Sequence, residues 1–141
     1  TGFKEYAKRI RKYIPMEIRE IPTIKGAGKL SEPEIIEKEG SEILRNMKDH
    51  SYVVLLDEKG KDYKSVEFAR WLQNRMNRSI QNLVFVIGGA YGFSEEIKKR
   101  ADEKISLSKM TFSHQIVRLI FAEQLYRAFT IIKGEPYHHG S

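Results

Sequence analysis

Three short stretches of this sequence carry residues suited to holding a ligand: Asp57-Glu58-Lys59-Gly60-Lys61, Gly88-Gly89-Ala90-Tyr91-Gly92-Phe93 and Ser108-Lys109-Met110-Thr111-Phe112-Ser113. The middle one has three glycines in five residues, and glycine lets a ligand approach the backbone closely. The chemistry they suit is capture of a small molecule by backbone groups and an apolar slot. No G-x-x-x-x-G-K-S/T stretch is present for a nucleoside triphosphate, and glycines 88, 89 and 92 do not spell the dinucleotide fingerprint. No metal site is expected: there is no cysteine and no H-E-x-x-H, and the pair His138-His139 lacks an ordered third ligand. Ser108 and Ser113 lie near His114 without the nucleophile-elbow pattern of a hydrolase, so Ser113 reads as a helix N-cap.

Each stretch follows an apolar or alternating run. Tyr52 to Leu56 and Leu83 to Ile87 are continuous apolar runs, the pattern of parallel strands covered on both faces. Ile105 and Leu107 alternate as a third strand, and Met16 to Ile21, stopped by Pro22, reads as another short one. Between them lie helical patterns. Phe3, Tyr6, Ala7, Ile10 and Tyr13 or Ile14 recur at helical spacing, with Lys4, Glu5, Lys8, Arg9, Arg11 and Lys12 on the outer face. Ser31-Glu32-Pro33-Glu34 is a capping box with proline in the first turn. Ser65 opens a helix carrying Phe68, Ala69, Leu72 and Met76 on one face, and Ser94 caps a short one with Glu95 and Glu96 in its first turn. The last helix, after Ser113, ends at Gly134 and Pro136. It is apolar round most of its circumference, so it must be buried against more than one surface. The polar residues interrupting it, His114, Arg118, Glu123 and Arg127, stand out for that reason.

In open α/β sheets ligands bind at the carboxyl ends of strands, which is where these three loops fall. The expected fold is α/β: a mostly parallel sheet with helices on both faces, formed by one domain over residues 1–141. A net charge of +6 favours a polyanionic partner such as RNA. No run nears the roughly 20 apolar residues of a membrane span, and the lack of cysteine is compatible with a reducing cytoplasm.

Several ordered motifs together resemble the bacterial ribosomal large-subunit RNA methyltransferase H family, which belongs to the α/β-knot (SPOUT) methyltransferases. They are Leu56-Asp57-Glu58-Lys59-Gly60-Lys61, Phe85-Val86-Ile87-Gly88-Gly89-Ala90-Tyr91-Gly92, Leu107 to Gln115, Arg118, Glu123 to Ala128, and Pro136-Tyr137-His138-His139. The likeness covers nearly the whole chain. It implies a trefoil knot in the C-terminal part, an exception to the rule that chains do not thread loops. It also implies a cytoplasmic homodimer that uses S-adenosylmethionine to methylate N3 of a pseudouridine in 23S rRNA of the assembled 70S ribosome. Cofactor contacts are implied at Leu56, Gly88, Gly89, Leu107, Ser108, Lys109, Met110, Thr111 and Phe112. Arg118, Tyr137 and His138 are implied as the residues that act on the base. The family opens with a further strand, ending in Val-Gly-Lys or similar, which has no counterpart in this sequence before Thr1. A non-catalytic RNA-binding or ribosome-binding module that kept the knot is a second reading. A knot methyltransferase acting on transfer RNA is a third.

Overall fold

The computed structural model describes residues 2–22, 24–89, 91–108, 110 and 112–136. In chain order the elements are α1 (Gly2–Ile10), a short 3-10 turn (Ala27–Lys29), α2 (Glu32–Arg45), β1 (Tyr52–Asp62), α3 (Ser65–Asn77), β2 (Leu83–Ile87), α4 (Glu95–Arg100), β3 (Glu103–Ser106) and α5 (His114–Ile132). The three strands form one parallel sheet in the order β2-β1-β3.

Alternation along β1 explains the layering, because successive side chains of a strand point to opposite faces. Val54 and Leu56 join Ile10 of α1, Phe68, Trp71 and Leu72 of α3, and Phe121, Leu125 and Phe129 of α5 on one face. Val53 and Leu55 join Val86, Ile97 of α4, and Ile43, Leu44 and Met47 of α2 on the other. Val53, Val54 and Leu55 are fully buried, and each such side chain contributes roughly 1.5–3 kcal/mol of burial. α5 is shared: α1 and α3 both pack on it, which accounts for its nearly all-round apolar surface.

Helix starts follow the local chemistry. The Ser31 side chain accepts from the Glu34 N–H while Glu34 reaches back to the Ser31 N–H. Ser94 and Ser113 accept from the Ile97 and Ile116 N–H groups. Glu67 accepts from the Lys64 N–H ahead of α3. Gly134, at φ 70, makes the left-handed turn that ends α5.

Three expectations need correction. Residues Met16 to Ile21 form no strand, although the alternation is there. A strand needs a neighbour's N–H and C=O groups, and among the described residues none pairs with this segment. It runs instead beside a cavity of about 1010 Å³ that also borders β2, α2 and α5. The segment Asp57 to Lys61 is not a loop after the strand but lies within β1. Leu56 and Lys61 both align with Ile105 of β3, so the residues between them bulge out of register. Gly60 there passes so close to β3 that a Cβ on it would lie 2.6 Å from the Lys104 carbonyl carbon. Finally, α1 ends at Ile10. The chain still coils on through Ile14, whose N–H bonds to the Ile10 carbonyl, and Tyr13 and Ile14 pack on the core as the spacing suggests.

Candidate functional site

The sheet register brings the expected cofactor residues to one place. Leu56 aligns with Ile87 of β2 on one side and Ile105 of β3 on the other. Gly88 follows Ile87 directly, and Leu107 lies two residues beyond Ile105. Leu56, the last residue of β1 before its bulge, is therefore level with the ends of β2 and β3, and Gly88 and Leu107 lie just beyond those ends. Leu56 is buried, and Leu107 packs on the same apolar cluster.

Beyond β3 the backbone is shaped by two serines. Ser106 Oγ donates to the Ser108 carbonyl at 3.1 Å, and Ser108 Oγ accepts from the Met110 N–H at 3.0 Å. Beyond these bonds, Met110 is 71% exposed and Phe112 38% exposed. Lys109 and Thr111 lie outside the described residues.

The glycine loop is closed by an antiparallel bridge between Gly89 and Gly92, and Gly92 has φ 91. The space beside its first two glycines is filled from within the chain. A Cβ on Gly88 would lie 3.0 Å from the Phe93 ring, and one on Gly89 would lie 2.8 Å from both carboxylate oxygens of Glu39. These glycines are thus needed for packing of Phe93 and Glu39, whatever else approaches the loop. Neither neighbour was legible in the sequence, although the Glu39-Gly40 pair in mid-helix is a signal: Gly40 packs against Ser94.

Arg118, one turn into α5, is held by its own chain. Its Nη2 lies 2.6 Å from Glu20 Oε1, and its guanidinium sits 4.6 Å from the centre of the Phe3 ring. It lines the 1010 Å³ cavity with His114, Gly89 and Glu39; Leu56, Leu107 and Phe112 do not. Glu20 and Phe3 were missed as its partners because both are remote in sequence. Farther along α5, Glu123 and Arg127 pair at 2.9 Å, and Gln124 accepts from Ser65 Oγ at 3.0 Å, tying α5 to α3. Tyr137 and His138 lie outside the described residues. The last residue before Pro136, Glu135, is bound by Tyr13. Lys59 and Lys61 project from the bulge of β1, both exposed, with Lys61 Nζ 5.1 Å from the Tyr63 ring centre.

Among the described residues no group of three His, Asp or Glu could hold a metal, and no helix is long and apolar enough to cross a membrane.

Residues 1–138 match the family model described as "Predicted SPOUT methyltransferase". The chain belongs to the SPOUT methyltransferase family. Related sequences agree. A protein of Christiangramia forsetii is 57% identical over 136 residues, covering 96% of this chain and 87% of its own length. One from Parabacteroides distasonis is 56% identical over 138 residues, covering 98% and 88%. One from Flavobacterium johnsoniae is 54% identical over 139 residues, covering 99% and 88%. All three carry the name "Ribosomal RNA large subunit methyltransferase H". In this SPOUT chain, Leu56, Gly88 and Leu107, three residues that the sequence resemblance marks for the cofactor, lie on three adjacent strands or directly after them. Among the described residues so marked, Leu56 and Leu107 belong to the apolar cluster while Phe112 and Met110 are exposed.

Proposed function

We propose that this chain is a 23S rRNA methyltransferase that transfers the methyl group of S-adenosylmethionine to N3 of a pseudouridine. It acts as a cytoplasmic homodimer on the assembled 70S ribosome, through one domain whose C-terminal part forms a trefoil knot. The observation that carries this reading is the register that aligns Leu56 with Ile87 and Ile105, the residues that lead into Gly88 and Leu107. The names of the relatives support the RNA substrate.

Leu56, Leu107 and Phe112 would hold the adenine. Gly88, Gly89, Ser108, Lys109, Met110 and Thr111 would meet its polar edges and the remaining groups through backbone N–H and C=O. When bound, the cofactor supplies an electrophilic methyl group. The chain must do the rest. It has to hold the uracil-like ring with N3 in line, since positioning alone can supply several kcal/mol of the barrier. It also has to stabilise the ring as the N3 proton leaves. Arg118 is the cation for that charge, once turned from Glu20. Tyr137 and His138 are the further candidates to act on the base, His138 by holding RNA or taking the proton. Exposed Lys59 and Lys61, with the basic face of α1, contact phosphates.

The dimer reading rests on α5. Phe112, Ile116 and Leu119 are 38%, 47% and 39% exposed and fall on one side of its start. A second copy covering them would remove large apolar side chains from water.

The experiment is calorimetric titration of S-adenosylmethionine into the purified chain and into Leu107→Asp, beside a methylation assay on ribosomes lacking the modification. Binding lost in the variant, with wild-type methylation at a single N3 position, supports the proposal. A folded wild type that binds no cofactor would sink it and favour an RNA-binding module.

A further inference from the structure

α1 carries lysines at positions 4, 8 and 12, one helical turn apart. All three are exposed. The coil continues past Ile10 through Arg11 N–H to the Ala7 carbonyl at 3.0 Å and Ile14 N–H to the Ile10 carbonyl at 3.2 Å, so Lys12 keeps the spacing. The inner face is occupied by Ala7 and Ile10, both buried. The arginines of the same segment are engaged: Arg9 pairs with Glu5 at 3.2 Å, and Arg11 donates to the Met16 carbonyl at 3.1 Å. The three lysine ammonium groups make no ion pair or hydrogen bond among the described residues.

We propose that Lys4, Lys8 and Lys12 form a track for one strand of the rRNA backbone. The inference rests on the RNA-substrate reading above and names the surface that reading requires. Three arguments support it. Four helical residues advance about 6 Å, comparable with the step between neighbouring phosphates on one strand, so each lysine can meet its own phosphate. Lysine is a flexible point charge, suited to phosphates read without regard to sequence. The placement also connects the two ends of the proposed machinery: Phe3 at the start of α1 stacks under Arg118, and Tyr13 just beyond its end binds Glu135. A strand laid along α1 therefore runs from the Arg118 end towards Glu135.

The test compares wild type with Lys4→Gln/Lys8→Gln/Lys12→Gln and with a charge-matched control, Lys25→Gln/Lys38→Gln/Lys99→Gln. Glutamine keeps helix propensity, and circular dichroism checks the fold. Affinity for 70S ribosomes is measured against salt. Each lost phosphate contact lowers the slope of log K against log salt by about 0.7–0.9, so the track variant should lose about two to three units of slope. Between about 50 and 200 mM salt, wild-type binding should fall roughly 20- to 40-fold further than that of the variant. KM for ribosomes should rise while kcat holds, and the control should match wild type. An unchanged slope, or an equal loss in the control, overturns the track. Wild type that binds ribosomes in this salt-dependent way without methylating them would sink the methyltransferase proposal and leave the track standing.

Discussion

Tyr13 Oη lies 2.9 Å from both carboxylate oxygens of Glu135, across 122 positions of sequence. The Tyr13 ring also stacks on Phe129 at 5.4 Å and 7°. This contact fastens the coil after α1 to the residue that precedes Pro136. Burial, then the Glu135 hydrogen bond and charge, push the phenol up to about 12 from the ordinary 10. A group whose folded pKa is raised favours folding in its protonated form. The contribution is therefore complete below pH 10 and disappears as pH climbs from 10 to 12. Wild-type melting temperature should fall across that window, and Tyr13→Phe, weakened by about 1 kcal/mol at neutral pH, should lack that component. Thermal unfolding by circular dichroism at each pH checks both.

Glu103 should govern acid stability. At the start of β3 it accepts from Trp71 Nε1 at 2.9 Å, from Arg75 at 2.6 and 2.8 Å, and from Tyr52 Oη. Burial alone would raise its pKa, but the hydrogen bonds from Tyr52, Trp71 and Arg75 outweigh this and hold the carboxyl below 4.5. A depressed pKa gives stability that is present above the unfolded value and lost as pH falls through the folded one. Glu103→Ala should cost about 3 kcal/mol at pH 7, because it strands a half-buried guanidinium. In Glu103→Gln, stability should decline less steeply below pH 4.5 than in wild type. Urea unfolding across pH 3 to 7 would show this.

Gly60 and Gly89 should respond differently to alanine. A Cβ at Gly60 meets only backbone, at 2.6 to 2.8 Å from Lys104 and Ile105, whereas at Gly89 it meets the Glu39 carboxylate. A side-chain end can swing aside; a paired strand cannot. Gly60→Ala should cost about 3 kcal/mol or more and Gly89→Ala about 1. Denaturant midpoints at constant slope distinguish the two.

Arg118 and Glu20 should have opposite effects on methylation. If Arg118 stabilises charge on the base, Arg118→Ala should lower kcat about a hundredfold and leave cofactor affinity intact. Glu20→Gln frees the guanidinium and should leave kcat equal or higher. Single-turnover rates for both variants test the pair, and a wild-type rate in folded Arg118→Ala removes Arg118 from the mechanism.

Ile116→Asp should disrupt dimer formation. It places a charge amid Phe112 and Leu119 on the exposed start of α5, and sedimentation velocity should report a folded monomer. A variant that sediments as wild type would mean the stripe is not the contact.

Where a signal lies within a few neighbours, the sequence predicted the structure well. The Ser31–Glu34 box, the Ser94 and Ser113 caps, the Gly134 stop and the buried run at 53–56 all stand, whereas the strand at 83–87 forms but only its Val86 is buried. Gly88 and Leu107 also follow adjacent strands as expected, because parallel strands joined through helices put their carboxyl ends together. What failed depends on partners far along the chain. Met16 to Ile21 alternates like a strand, but pairing is decided by what lies beside it. Asp57 to Lys61 looks like a turn, yet Ile105 aligns with residues on both sides of it. The four-residue network at Glu103 and the Arg118–Glu20 pair join residues separated by 28 to 98 positions, which no local pattern encodes.

The packing of α1 on α5 also constrains the timing of folding. Phe3 meets Arg118, Tyr6 and Tyr13 meet Tyr126, and Tyr13 meets Glu135. During synthesis α1 is made while its wall is more than a hundred codons away. Nine residues are too few for a helix to persist unsupported in water, so α1 stays unformed until α5 has left the ribosomal tunnel. A nascent chain halted before residue 114 should therefore expose the α1 segment to proteolysis.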